Sequence, residues 1–172
     1  RDFEVIEGGK DRDITDHVPE GSESAIALAE MKKAEPSFTV TPFLEGARGA
    51  YEMILMAFER GDLESIRPFL SDDVEASFGE AISARDSQGL TVEASFLGIK
   101  DLGLEEASFN RDTGMAEISV RFAGEQTYVV RNKAGEIVEG GPREVKRQRD
   151  VWTFARRMGS PDPNWQLVAT GD

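Results

Sequence analysis

Six basic side chains lie between positions 143 and 157: Arg143, Lys146, Arg147, Arg149, Arg156 and Arg157. Only Glu144 and Asp150 oppose them there, in a chain whose net charge is −13. Such a cluster can dock an acidic surface, either anionic lipid or a negatively charged protein. Distant acids matter little to it, because salt screens exposed charges beyond about 8 Å. Strand alternation puts Arg143, Arg147 and Arg149 on one face, and Lys146 and Arg156 on the other. The competing expectation is a solvated strand edge, where charge blocks edge pairing.

Residues able to do covalent or acid–base chemistry are scarce. There is no cysteine, which removes thiolate metal sites, disulfides and a thiol nucleophile. The one histidine, His17, falls in a stretch expected to be weakly ordered, whereas a catalytic triad needs a rigid frame. No phosphate-binding G-x-x-x-x-G-K-[ST] loop and no H-x-x-x-H ligand pair occur. Asp72-Asp73 and Glu105-Glu106 could form acid–base or metal pairs, but a capped helix start and a solvated strand edge account for them. Tyr51 and Tyr128 are the only phenols. The acidic balance argues against nucleic acid as a partner. The expectation is a domain that binds rather than catalyses, with no cofactor and no metal.

The elements that position these residues come in two blocks. Residues 1–21 are expected to be weakly ordered, being charge-rich and poor in large apolar side chains. Residues 22–40 form a short helix and connector, closed by Pro36. A strong helix is predicted from Pro42 to Arg60, capped by Thr41. Phe43, Ala47, Ala50, Tyr51, Ile54, Ala57 and Phe58 share one face of it. Gly61 stops it, a second helix follows over Leu63–Leu70, and Ser71 caps a third over Asp72–Gln88.

After Gly89 the apolar period changes from 3.6 to 2. Leu90, Val92, Ala94 and Phe96 alternate with polar residues, as do Ala116, Ile118, Val120 and Phe122. Two further strands are predicted over Glu144–Arg157 and Trp165–Thr170. Helices followed by a strand meander predict an α+β fold, with helices on one side of a curved antiparallel sheet of about four strands. No run approaches the roughly 18 apolar residues of a membrane span. The chain begins at Arg1 rather than a methionine, so a signal or anchor can lie upstream.

Three stretches together carry a resemblance: FLEGARGAYEMILMAFERGDLESIRPFLS (43–71), DVWTFAR (150–156) and SPDPNWQLVAT (160–170). They resemble the Tim-forty-four-like domain family. It is named for the motor-tethering subunit of the mitochondrial inner-membrane translocase and includes alphaproteobacterial relatives. Residues 41–172 are assigned to that domain. The resemblance implies a cone-shaped, nuclear-transport-factor-2-like (cystatin-like) fold with an apolar cavity. It also implies peripheral attachment to an anionic inner membrane and scaffold work beside a membrane protein complex, with a chaperone or ribosome as partner.

The signature residues of those stretches are Phe43, Tyr51, Phe58, Trp152, Phe154, Asp162, Pro163, Asn164 and Trp165. Their expected role is structural. Trp152 and Phe154 face Trp165 across a sheet, and Ser160 to Asn164 supply turn chemistry. Family members use amphipathic helices before the core at the membrane. The corresponding candidate here presents Ile26, Leu28, Met31, Lys32 and Lys33. The leading expectation is a non-catalytic scaffold or tether at the cytoplasmic face of a bacterial inner membrane, peripheral or held by an upstream anchor. A module holding a lipid or acyl chain in the cavity is the alternative. An isomerase- or dehydratase-type enzyme comes third.

Overall fold

The computed structural model describes residues 10–171. Its elements are α1 (Arg12–Thr15), α2 (Glu23–Ala34), α3 (Val40–Arg60), a 3-10 turn (Arg67–Phe69), α4 (Asp72–Ser87), β1 (Thr91–Phe109), β2 (Met115–Arg131), β3 (Ile137–Arg157) and β4 (Gln166–Ala169). The four strands form one antiparallel sheet in the order β1-β2-β3-β4. The sheet is open, so the architecture is the expected α+β arrangement with helices against a four-stranded sheet. Register shifts interrupt the β1–β2 and β2–β3 pairings. Such bulges bend strands and increase their twist.

Side-chain alternation explains which face meets the helices. Ala116, Ile118, Val120 and Phe122 of β2 are all buried, and Trp152 and Phe154 of β3 lie beside them. Tyr51 of α3 stacks on Phe122, with ring centres 4.3 Å apart, and tilts against Trp152 at 4.7 Å. It crosses β2 at Gly124, where a Cβ would meet the Tyr51 ring at 3.3 Å. Each fully buried aliphatic or aromatic side chain here stabilises the fold by about 1.5–3 kcal/mol.

Four expectations change. First, residues 10–21 are not weakly ordered. They contain α1, and Ile14 and Val18 are buried in the core; residues 1–9 of that segment lie outside the described residues. Second, Leu28 and Met31 do not face a membrane. Both are 0 % exposed, because the apolar stripe of α2 packs on the sheet. Lys32 is tied to Asp11 and Asp13 and Lys33 to Glu30, which leaves Ile26 as the outward apolar residue of that candidate.

Third, the helix predicted over Leu63–Leu70 is only the 3-10 turn Arg67–Phe69. Pro68 lacks an N–H and disfavours the α conformation at Arg67. Fourth, Phe58 is half-buried. It packs on Phe78 of α4, with ring centres 4.6 Å apart, at the margin of the core. On the following turn position, Glu59 is the buried residue.

Candidate functional site

The three stretches that carry the family resemblance meet in space. Together they line an apolar groove of about 520 Å³. The first stretch supplies Phe43, Gly46, Ala47, Gly49, Ala50 and Met53 of α3, with Phe69 from the 3-10 turn. The second supplies Phe154 of β3, and the third supplies Pro163, Asn164 and Trp165. Glu45 is the only ionisable side chain on the wall. Gly46 and Gly49 have nothing within 4 Å of where a Cβ would sit, so this side of α3 is open and smooth. Periodicity alone assigned the Phe43–Ala47–Ala50 row to the core, yet the row also forms a wall of the groove.

Trp165 does not pair with Trp152 across the sheet, as expected from alternation. Its ring lies 4.7 Å from Phe43 and 5.9 Å from Phe38, and Phe43 in turn meets Phe154 at 6.1 Å. Trp165 precedes β4, so the Asp162–Trp165 turn swings it onto α3. That turn uses the predicted chemistry: Asp162 Oδ1 accepts from the Asn164 backbone N–H at 3.0 Å.

Arg156 holds the turn in place and is no docking residue. It is 8 % exposed. Its Nη1 donates to Glu35 at 2.8 and 3.0 Å, and its other nitrogens donate to the carbonyls of Asp162 and Ser160 at 2.9 Å each. Desolvation acts to raise the pKa of Glu35, but the Gly159 N–H and the Arg156 guanidinium outweigh it and hold that pKa below the usual value. Because strand parity turns Arg156 inward at the end of β3, its charge is spent on this latch between the turn and the end of α2.

The remaining basic residues are dispersed. Lys146 points inward and lies 3.8 Å from the centre of the Tyr128 ring. Arg147 points outward and pairs with Glu125 at 2.8 Å, where Lys100 also reaches at 3.6 Å. Arg143, Arg149 and Arg157 are exposed, but Arg157 sits opposite Met115 at the far end of the strand. The six residues therefore do not make one continuous patch.

A polar seam that sequence reasoning missed runs under α3. Tyr51 donates its hydroxyl to Asp150 at 2.5 Å, and Gln148 donates to the same oxygen at 3.0 Å. Gln126 donates to Gln148 at 3.3 Å and to Glu59 at 2.9 Å. Burial, then the hydrogen bond and charge of Asp150, push the Tyr51 pKa well above its ordinary value. Burial raises the Glu59 pKa by more than the Gln126 hydrogen bond and the Lys146 and Arg85 charges lower it. The one available signal was Glu59, an acid in the apolar row of α3.

His17 bonds the Thr41 hydroxyl at 2.9 Å, next to the start of α3. Among the described residues, no cluster of three His, Asp or Glu is arranged to hold a metal. None of the helices described there is long and apolar enough to cross a membrane.

Residues 24–172 match the family model described as "Tim44-like domain". The chain is 23 % identical over 145 residues to the mitochondrial import inner membrane translocase subunit TIM44-1 of Arabidopsis thaliana, covering 84 % of this chain and 30 % of that protein. It is 24 % identical over 150 residues to the human subunit TIM44, covering 86 % of this chain and 33 % of that protein. The chain thus spans about a third of the length of these relatives. A solved structure of the intermembrane space region of chloroplast protein ARC6 aligns with a TM-score of 0.44 at 12 % identity, covering 67 % of this chain and 82 % of that one.

Proposed function

This chain belongs to the Tim44-like domain family, and on that basis we propose that it is a non-catalytic scaffold domain that tethers a protein complex to a bacterial inner membrane. It works at the cytoplasmic face, peripherally or behind an upstream anchor. A chaperone or a ribosome fits the complex side of such a tether. The observation that carries the proposal is the convergence of the three family stretches on one apolar groove. Gly46 and Gly49 leave one wall of that groove open, which core packing does not require.

The groove fits an acyl chain of a membrane lipid, because its walls are aromatic and aliphatic and a hydrocarbon makes no demand for polar partners. Exposed Arg157, which shares the adjoining surface with Trp165, supplies short-range attraction to the lipid headgroups. Catalysis is the weaker reading. The Tyr51–Asp150 pair lies outside the groove, and a phenol whose pKa is raised is a poorer acid at neutral pH.

The test is sedimentation with phosphatidylcholine vesicles, with and without cardiolipin, at low and high salt. Wild type should bind the anionic vesicles at low salt and shift its Trp165 emission to the blue. Gly49→Phe, which fills the groove from a position with nothing within 4 Å of its Cβ, should reduce binding several-fold and remove the emission shift. No binding to either vesicle, or equal binding by the filled variant, would sink the lipid-tether reading.

A further inference from the structure

β1 forms one outer edge of the sheet and is interrupted by three register shifts; the opposite edge is the longer regular one. β4 pairs with β3 only at Thr153, Phe154 and Ala155, whereas β3 begins at Ile137. Among the described residues, no strand and no loop backbone hydrogen bond covers the outer side of residues 137–152. An uncovered edge presents a row of unpaired N–H and C=O groups.

The usual protections are concentrated at one end. The register breaks between Tyr128↔Gly141 and Thr127↔Val145, so Pro142, Arg143 and Glu144 bulge out there. From Val145 to Val151 the pairing with β2 is regular, and this segment holds neither proline nor glycine. It can accept a neighbour along its whole length.

The side chains of that segment divide cleanly. Lys146, Gln148 and Asp150 point inward and are committed to Tyr128, Gln126 and Tyr51. Val145, Arg147, Arg149 and Val151 form the outward row. Val145 is 53 % exposed and the Arg147 side chain 81 % exposed. Among the described residues Arg149 makes no ion pair. The row is therefore apolar–basic in a chain of net charge −13.

A second copy fits this edge poorly in the registers that use its middle. Antiparallel self-pairing centred on Gln148 would set Arg147 directly opposite Arg149 of the other copy, twice. Centred on Arg147, it would set that residue against itself. Like charges directly opposite across strands are destabilising. An extended segment with acidic residues at alternate positions meets the same row with complementary charge. Glu125 lies inside screening range and pairs with Arg147 at 2.8 Å, so an incoming acid shares Arg147 with it, whereas acids beyond about 8 Å are screened at physiological salt.

We propose that the Val145–Val151 edge of β3 is a strand-addition site for an extended acidic segment of a partner protein. Main-chain hydrogen bonds supply affinity, and Arg147 and Arg149 supply selection for acids on the outward face. This surface is independent of the apolar groove, so it stands or falls separately from the lipid reading.

The test uses the 172-residue chain and a capped, fluorescein-labelled octapeptide alternating Glu and Val. A Lys–Val peptide of equal length is the control. Anisotropy should show salt-sensitive binding of the acidic peptide and about tenfold weaker binding of the basic one. Hydrogen exchange should slow at alternate amides of 145–151, those that point away from β2. Arg147→Glu/Arg149→Glu, at exposed positions, should keep its melting temperature within a few degrees, lose the acidic peptide and gain the basic one. Equal binding of both peptides, or binding without new amide protection, would overturn the proposal. So would a chain dimer in sedimentation equilibrium that protects the same amides. No binding of either peptide would overturn it too.

Discussion

The carboxylate of Asp13 caps the helix that starts at Val40. It accepts the Val40 backbone N–H at 2.6 Å and that of Thr41 at 3.0 Å, across 27 and 28 residues of chain. Thr39, the local cap position, makes no side-chain bond to the helix. Lys32 of α2 closes on the same carboxylate at 2.9 Å. One acid thus joins α1, α2 and α3.

Removing that carboxylate should cost about 1–2 kcal/mol, the usual worth of a helix cap. Partial burial works to raise the Asp13 pKa, but Lys32 and the two backbone N–H groups hold it at about 2, against an ordinary value of 3.8. A depressed acid contributes stability above its unfolded pKa and loses it as pH falls through the folded one. Urea melts of Asp13→Ala should therefore show a constant deficit from pH 5 to 8 that begins to shrink below about pH 4. A deficit unchanged down to pH 3 would mean that the carboxylate charge does not matter.

Deletion of residues 1–20 tests the same junction through packing. The cut removes buried Ile14 and Val18 together with Asp13. A loss of about 3–6 kcal/mol follows from the two aliphatic side chains alone, at about 1.5–3 kcal/mol for each. In a domain of this size that lowers Tm by about 10 °C. An unchanged Tm would restore the expectation of a loose tail.

Glu59 should behave in the opposite sense from Asp13. It is 7 % exposed, and one of its carboxylate oxygens has no partner. Its folded pKa is raised, so stability is greatest below the ordinary value of 4.5 and falls as pH rises through the folded one. Glu59→Gln, neutral at every pH and still able to bond Gln126, should be about 1–3 kcal/mol more stable than wild type at pH 8. The gap should narrow toward pH 4. A variant less stable than wild type at pH 8 would show that the charge is held favourably.

Arg156→Ala should cost about 3–5 kcal/mol, because it strands Glu35 and two carbonyls that now share one guanidinium. Arg156→Lys should recover only part, since an ammonium cannot span the three acceptors. Chemical denaturation ranks the three proteins, and equal midpoints for Arg156 and Lys variants would refute the latch. Charge reversal of the basic strand must leave this residue alone.

Much of the fold was legible because local rules and tertiary packing agreed. Ser71 caps α4 through its own side chain, at 3.3 Å, as a serine before an acidic first turn does. The alternation of Ala116 to Phe122 marks a strand with one dry face, and it is one. The Asp162–Asn164 turn follows from side chains that bond their own backbone. Composition also fixed the scarcity of catalytic groups, since residues that are missing need no fold to be counted.

Tertiary structure decided everything that depends on distance between segments. Asp13 became a cap because α1 packs beside the start of α3, a meeting no local pattern encodes. Arg156 turned from a docking residue into an interior one, and Lys146 into a half-buried partner of the Tyr128 ring, because strand parity and the helices above set which face is dry. Tyr51 met Asp150 across 99 residues for the same reason. Periods, caps and turns are short-range properties of the chain and are readable without a fold. Which charges stay in water, and which apolar row lines a groove, was settled only by what packs on each face, because burial is a property of the assembled layers.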